Sequence, residues 1–152
     1  MKHTISVLVE NHFGVLARVS ALFSARGYNI DSLCVGETED SAVSRMTVVA
    51  RGDDNVLEQI IKQLNKLPDV IEVADLTDKD FVERELVMVK IGATSKQRSE
   101  VIEIVSIFRA KVVDVSPKSM IVEVTGSEGK VEAFVDMMRP FEILELVRTG
   151  EI

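Results

Sequence analysis

The strongest constraint on this chain is that it carries one order of elements twice. Residues 3–10 alternate, with Ile5, Val7 and Val9 on one face and Thr4, Ser6 and Leu8 on the other, the period of two that marks a strand. Asn11-His12-Phe13-Gly14 breaks the alternation. Leu16, Val19, Leu22, Phe23 and Arg26 then follow helical spacing, with the apolar members on one stripe. Gly27 closes that helix, where a left-handed backbone is cheap for glycine. Residues 28–35 and 45–51 read as strands on either side of a polar hairpin loop, the second of them rich in β-branched residues. Gly52-Asp53-Asp54-Asn55 offers a turn and an N-cap to a helix carrying Val56, Leu57, Ile60, Ile61 and Leu64. Pro68-Asp69 breaks it, and residues 70–76 form a last strand.

The second half repeats the series. Residues 85–91 read as a strand, and Ser95 is placed to cap a helix carrying Val101, Ile104, Val105 and Phe108. Residues 111–115 and 119–125 form a hairpin, Val131, Phe134, Val135 and Met138 line a helix, and residues 143–147 close the sheet. Matching pairs keep their order: Leu22-Phe23 with Ile107-Phe108, Ile30-Asp31 with Val113-Asp114, Met46 and Gly52 with Met120 and Gly126. Strand-helix-strand-strand-helix-strand is the split βαβ plan. Its repetition predicts an α+β fold of two ferredoxin-like βαββαβ domains, at residues 1–77 and 84–152, joined by a charged, non-periodic stretch. Each is about 70 residues, small enough for its core to be marginal. Helices would cover only one sheet face, leaving the other face and an edge strand to be covered. Leu8, Leu33 and Val49 fall off the nearest alternation and are candidates for a second apolar face. The sheet is therefore expected to pair with another copy or another subunit.

Composition narrows function. Apolar residues are 46% of the 152, and the net charge is −7. That balance argues against a nucleic-acid binder, which needs a basic face to displace counterions. An RNA-recognition motif shares this element order but needs stacking aromatics, and residues 45–51 have none. No apolar run is long enough to span a bilayer and the N-terminus is not built like a signal peptide, which points to the cytoplasm. The one cysteine, Cys34, cannot form an intrachain disulfide and reads as a small buried hydrophobe. The two histidines, His3 and His12, are not at metal-ligand spacing, and no phosphate-binding glycine loop is present. No catalytic constellation and no metal site emerge.

One junction is more promising. Asn11-His12-Phe13-Gly14-Val15-Leu16 joins the first strand to the first helix. Gly14 lets a ligand approach the backbone closely. The N–H groups that follow sit at the positive end of a helix, which suits a carboxylate. Asn11 can both donate and accept, so it suits an ammonium as well as an anion. Gly27-Tyr28-Asn29-Ile30 lies at the far end of the same helix, about 15 Å away by helix rise. Across a two-fold interface, a partner's Asn29 could reach the Asn11 loop. On these residues alone, Gly14 as a simple turn residue and the asparagines as loop formers remain an open alternative.

The strand ending in Asn11, the Gly14-Val15-Leu16 helix entry, and Phe23 before Gly27-Tyr28-Asn29-Ile30 resemble the ACT-domain family of amino-acid-sensing modules. The string from Leu22 through Leu33, Ser44-Arg45-Met46-Thr47-Val48-Val49, Gln59 through Leu67, and Glu83 through Ile91 resemble more closely the regulatory small subunits of acetohydroxyacid (acetolactate) synthase. The likeness covers nearly the whole chain. It implies a non-catalytic subunit that forms a homodimer or higher homo-oligomer. Its partner would be a large catalytic subunit holding thiamine diphosphate, magnesium and FAD, whose activity it would raise and make sensitive to valine. The effector site would lie between paired N-terminal ACT domains, at Asn11, Gly14, Val15, Leu16, Asn29 and Ile30. The second half lacks an Asn-x-x-Gly loop, and the resemblance associates it with activating the catalytic subunit. A free-standing ACT sensor acting on another enzyme or regulator is the competing reading.

Overall fold

A computed structural model describes residues Met1–Ile152. The chain divides into two compact units, Met1–Val82 and Glu83–Gly150. In the first, β1 (Lys2–Glu10), α1 (Val15–Ala25), β2 (Asn29–Glu37), β3 (Val43–Arg51), α2 (Asp54–Leu64) and β4 (Val70–Asp75) follow one another. In the second, β5 (Glu85–Gly92), α3 (Arg98–Ile107), β6 (Lys111–Val115), β7 (Ser119–Gly126), α4 (Glu128–Met138) and β8 (Ile143–Arg148) repeat the order, with a 3-10 turn at Arg139–Phe141 before β8. Each unit holds one antiparallel sheet, ordered β2-β3-β1-β4 and β6-β7-β5-β8. The two βαββαβ units expected from the repeat are present.

Alternation decides which face is buried. In the first sheet Ile5, Val7 and Val9 of β1 lie beside Met46, Val48 and Ala50 of β3, and all are at most 2% exposed. Val15, Val19 and Phe23 of α1 and Leu57, Ile60 and Leu64 of α2 cover them. In the second, Val87, Val89 and Ile91 pair with Val124, Val122 and Met120 under Val101, Ile104 and Val105 of α3 and Val131, Phe134, Val135 and Met138 of α4.

Several expectations need correcting. The α1 stripe runs Val15, Val19, Phe23, with Leu22 partly buried, whereas Leu16 is exposed. Val15 opens the helix, and Leu16, about 100° further round, falls at the margin of the stripe. Leu33 does not serve a second face: it stands opposite Val48 and packs on the N-terminal core. Cys34, opposite Thr47, points away from that core and is only half-buried. Ser95 does not cap α3, and no other side chain does: the helix opens only at Arg98. Ahead of it the Thr94 N–H and hydroxyl donate to Gln97 Oε1 at 3.0 and 3.2 Å, and the Gln97 N–H donates to the Thr94 carbonyl, closing a turn.

Other local readings hold. Asp53 caps α2 by accepting the Asn55 N–H at 2.7 Å. Gly27, at φ +75°, ends α1 while the Tyr28 N–H donates to the Phe23 carbonyl. Gly52 has a role beyond its turn: a Cβ there would lie 2.5 Å from the Tyr28 ring, which packs over it.

Candidate functional site

The loop after β1 is fastened to the β2–β3 hairpin. The Asn11 N–H donates to the Ala42 carbonyl at 2.7 Å. Its side-chain amide donates to the Ser41 carbonyl at 3.0 Å and to Glu37 Oε1 at 3.2 Å. The amide nitrogen thus serves two acceptors, and the side-chain carbonyl oxygen is the acceptor the residue brings. The His12 ring sits 3.0 Å from Glu10 Oε2, and Phe13 is fully exposed at the loop tip.

Gly14 then turns the chain into α1 at φ +83°, a left-handed conformation that carries a steric penalty for other residues. No side chain caps α1, and its first turn holds no acidic residue. The Val15 N–H makes only a long bond, 3.5 Å, to the His12 carbonyl. The N–H groups of Leu16 and Ala17 belong to the first turn and have no intrahelical acceptor. Three donors therefore converge beside a residue with no side chain, at the positive end of a helix.

Sequence reasoning missed the charges around this junction. Arg18, one turn after Gly14, places Nη1 3.5 Å from where a Gly14 Cβ would stand. Its guanidinium is paired with Asp69, whose carbonyl accepts the Glu10 N–H. The available signal was the Gly14–Arg18 spacing of four, which puts both on one helix face. Glu37 entered through the hairpin, which sequence spacing alone does not place. The junction thus gathers N–H donors and the Asp69-paired Arg18 guanidinium at Gly14 with the Asn11 carbonyl and the Glu37 carboxylate at the loop's attachment to the hairpin. These are complementary to the two charges of a free amino acid.

Asn29 and Ile30 lie elsewhere. Asn29 opens β2, is exposed, and donates its side-chain amide to Asp31 Oδ1 at 3.0 Å. Ile30 is half-buried against the N-terminal core. The register sets Asn29 opposite Arg51, which in turn pairs with Lys2, while Glu10 pairs with Val43 at the other end. The two ends are about 27 Å apart along β1. Within one chain, Asn11, Gly14, Val15 and Leu16 come together and Asn29 and Ile30 do not join them.

Burial, foremost, raises the Tyr28 phenol above the ordinary value of 10.0, and the Asp53 and Asp54 carboxylates add to this. Its hydroxyl donates to the Asp53 carbonyl as a neutral group. No helix is long and apolar enough to cross a membrane.

Comparison with known proteins converges on one family. A family model described as "AHAS small subunit-like ACT domain" matches residues 5–72, and one described as "Small subunit of acetolactate synthase" matches residues 84–152. The chain is 57% identical over 152 residues to the probable acetolactate synthase small subunit of Archaeoglobus fulgidus, covering 100% of this chain and 95% of that one. It is 50% identical over 152 residues to the acetolactate synthase small subunit of Aquifex aeolicus, covering 99% and 79%. The crystal structure of the Thermotoga maritima acetolactate synthase small subunit superposes with a TM-score of 0.89 at 39% identity, covering 100% and 95%. With both halves matched and relatives of this identity aligned over its full length, the chain belongs to the acetolactate synthase small-subunit family.

Proposed function

We propose that this chain raises the activity of the acetolactate synthase catalytic subunit and confers feedback inhibition by valine. The carrying observation is the α1 junction, where uncapped N–H groups and Arg18 meet over Gly14. The N–H groups of Gly14, Val15 and Leu16 hold the valine carboxylate. Asn11 and a partner's Asn29 fix the ammonium and seal the site, and Ile30 lines the space for the branched side chain.

Topology supplies the reason Asn29 must come from a second copy. β2 is an edge strand with its outer backbone groups unpaired within the sheet. Two copies joined β2 to β2 about a two-fold axis run antiparallel. The start of one β2 then lies beside the end of the other, so a partner's Asn29 comes next to Glu37, the residue that holds Asn11. A ligand there touches both protomers and favours the arrangement that closes around it, with a typical coupling of roughly 1–3 kcal/mol. The C-terminal unit engages the catalytic subunit, which carries the thiamine diphosphate, magnesium and FAD, while this chain performs no chemistry of its own.

The test is acetolactate synthesis by the cognate catalytic subunit, alone and with this chain, across a valine titration. Activation together with valine inhibition is expected. Gly14→Asp puts an anion where the carboxylate binds, so it should abolish valine inhibition while preserving activation. Persistent inhibition in that variant would overturn the site, and no change in activity with the wild-type chain would overturn the regulatory reading.

A further inference from the structure

Arg18 brings a full positive charge to the junction at Gly14. Side chains of a helix lean toward its N-terminus, and Arg18 follows Gly14 at a spacing of four, so its head returns over the glycine. Nη2 donates to Asp69. Nη1 lies 3.5 Å from the place of a Gly14 Cβ and makes no hydrogen bond within the chain. The side chain is half-exposed and so within reach of a solute.

Asp69 is fixed independently of Arg18. Its carbonyl accepts the Glu10 N–H at 2.8 Å, which ties it to the end of β1, and its side chain is largely buried. A carboxylate held this way sets the direction of the guanidinium before any ligand arrives. A guanidinium presents five N–H donors in a planar fork, so it can hold one carboxylate on one nitrogen and a second on the other. A ligand carboxylate over Gly14 then meets the N–H groups of the first turn and a full positive charge together. The second unit lacks this charge. Through the match of Phe23 with Phe108, the place of Arg18 falls on Glu103, an exposed carboxylate of α3 that repels an anion.

We infer that Arg18 is the specificity-determining residue for the effector's carboxylate and that Asp69 is its positioning residue. This rests on the effector reading above and adds the counter-charge to it. Backbone N–H groups donate to any acceptor, a neutral amide or hydroxyl included. The guanidinium favours a carboxylate, because a hydrogen bond between two charged groups is about twice as strong as a neutral one. The site is thereby set to a free amino acid rather than to the same residue within a peptide, whose carboxyl group is an uncharged amide.

Calorimetric titration of the full chain with valine tests this, with circular dichroism checking the fold of each variant. Arg18→Ala should weaken valine binding about ten-fold or more, the loss of a charge-assisted hydrogen bond. Arg18→Lys keeps the charge without the fork and should recover part of that loss. Asp69→Asn breaks the same ion pair but keeps the guanidinium. It should weaken valine by a clearly smaller factor, and add nothing in the Arg18→Ala background. A pair that served only to tie α1 to the start of β4 would give equal losses in Asp69→Asn and Arg18→Ala, and that result would overturn the proposal. So would Arg18→Ala binding valine within about two-fold of the unaltered chain while Gly14→Asp loses it. No valine binding to the unaltered chain, or binding unchanged in Gly14→Asp, would instead sink the effector reading itself.

Discussion

After β1 the chain enters α1 through Gly14 at φ +83°, with no side chain on the first-turn N–H groups. After β5 the corresponding turn runs through Thr94, whose N–H and hydroxyl both end on Gln97 Oε1. The sheets on either side share one strand order, but β1 also buries Thr4 and Ser6 on its second face, where β5 leaves Met88 exposed. No side chain caps either helix. At the second junction Thr94 and Gln97 close a turn ahead of the helix, whereas the first gathers a guanidinium and an acceptor around a residue without a side chain. Duplication of a fold repeats the core. The strand-to-helix loop can then diverge, because the apolar alternation beneath it does not depend on how the first turn is capped.

The comparison assumes that each core holds its own unit, and the largest expected effect tests that. Phe134 is fully buried and meets Phe108 edge-on at 5.4 Å. Phe134→Ala should cost about 3–5 kcal/mol, a large part of a small domain's stability. Hydrogen exchange is expected to accelerate through β5, β7 and β8 while β1 and β3 keep their protection. Equal loss in both sheets would show that the two cores melt as one.

A smaller effect separates matched glycines. Gly52 and Gly126 occupy equivalent places in the repeat. A Cβ at Gly52 would enter the Tyr28 ring at 2.5 Å, whereas at Gly126 the nearest atom, at 2.4 Å, is the flexible side chain of Lys130. Gly52→Ala should destabilise by about 1–3 kcal/mol, as overpacking does, and Gly126→Ala by clearly less, measured by chemical denaturation. Equal values would mean that Tyr28 moves aside freely.

These positions also show what was legible in the sequence. Strand faces, three of the four helix stripes and the Asp53 cap were readable, because period and capping chemistry are local. Leu33 was misplaced because the β2 bulge between Ile30 and Ser32 shifts the register of everything after it. Ser95 was misread as a cap because the Thr94–Gln97 turn delays the start of α3 to Arg98, and that turn is closed by the Gln97 side chain. At the candidate site, Gly14 and Asn11 were visible as a motif. Arg18, Asp69 and Glu37 were not, since their meeting depends on β4 and the hairpin folding back to the same end of the sheet. Asn29 could be connected to the site only through a second copy.

The Thr94–Gln97 turn gives a finer test of the junction comparison. Gln97→Ala removes an acceptor of two hydrogen bonds, should cost about 1 kcal/mol, and should leave the valine response untouched, since that acceptor serves only the turn ahead of α3. A changed valine titration in this variant would tie the second junction to effector binding and break the contrast.

The smallest effect again distinguishes the halves, through the chain's one tyrosine. Burial raises the Tyr28 phenol above its ordinary value, so the neutral form is favoured in the folded state. The stability this contributes is fully present below the unfolded pKa of about 10 and is lost as pH rises through the folded value. Alkaline denaturation followed by tyrosinate absorbance should therefore report the first unit alone. Tyr28→Phe should lower stability at neutral pH by about 1 kcal/mol, for the hydrogen bond to Asp53. It should also flatten the decline above pH 10 in the first unit. An unchanged decline would assign the alkaline loss to groups outside the Tyr28–Gly52 contact, and the first core would then differ from the second by packing alone.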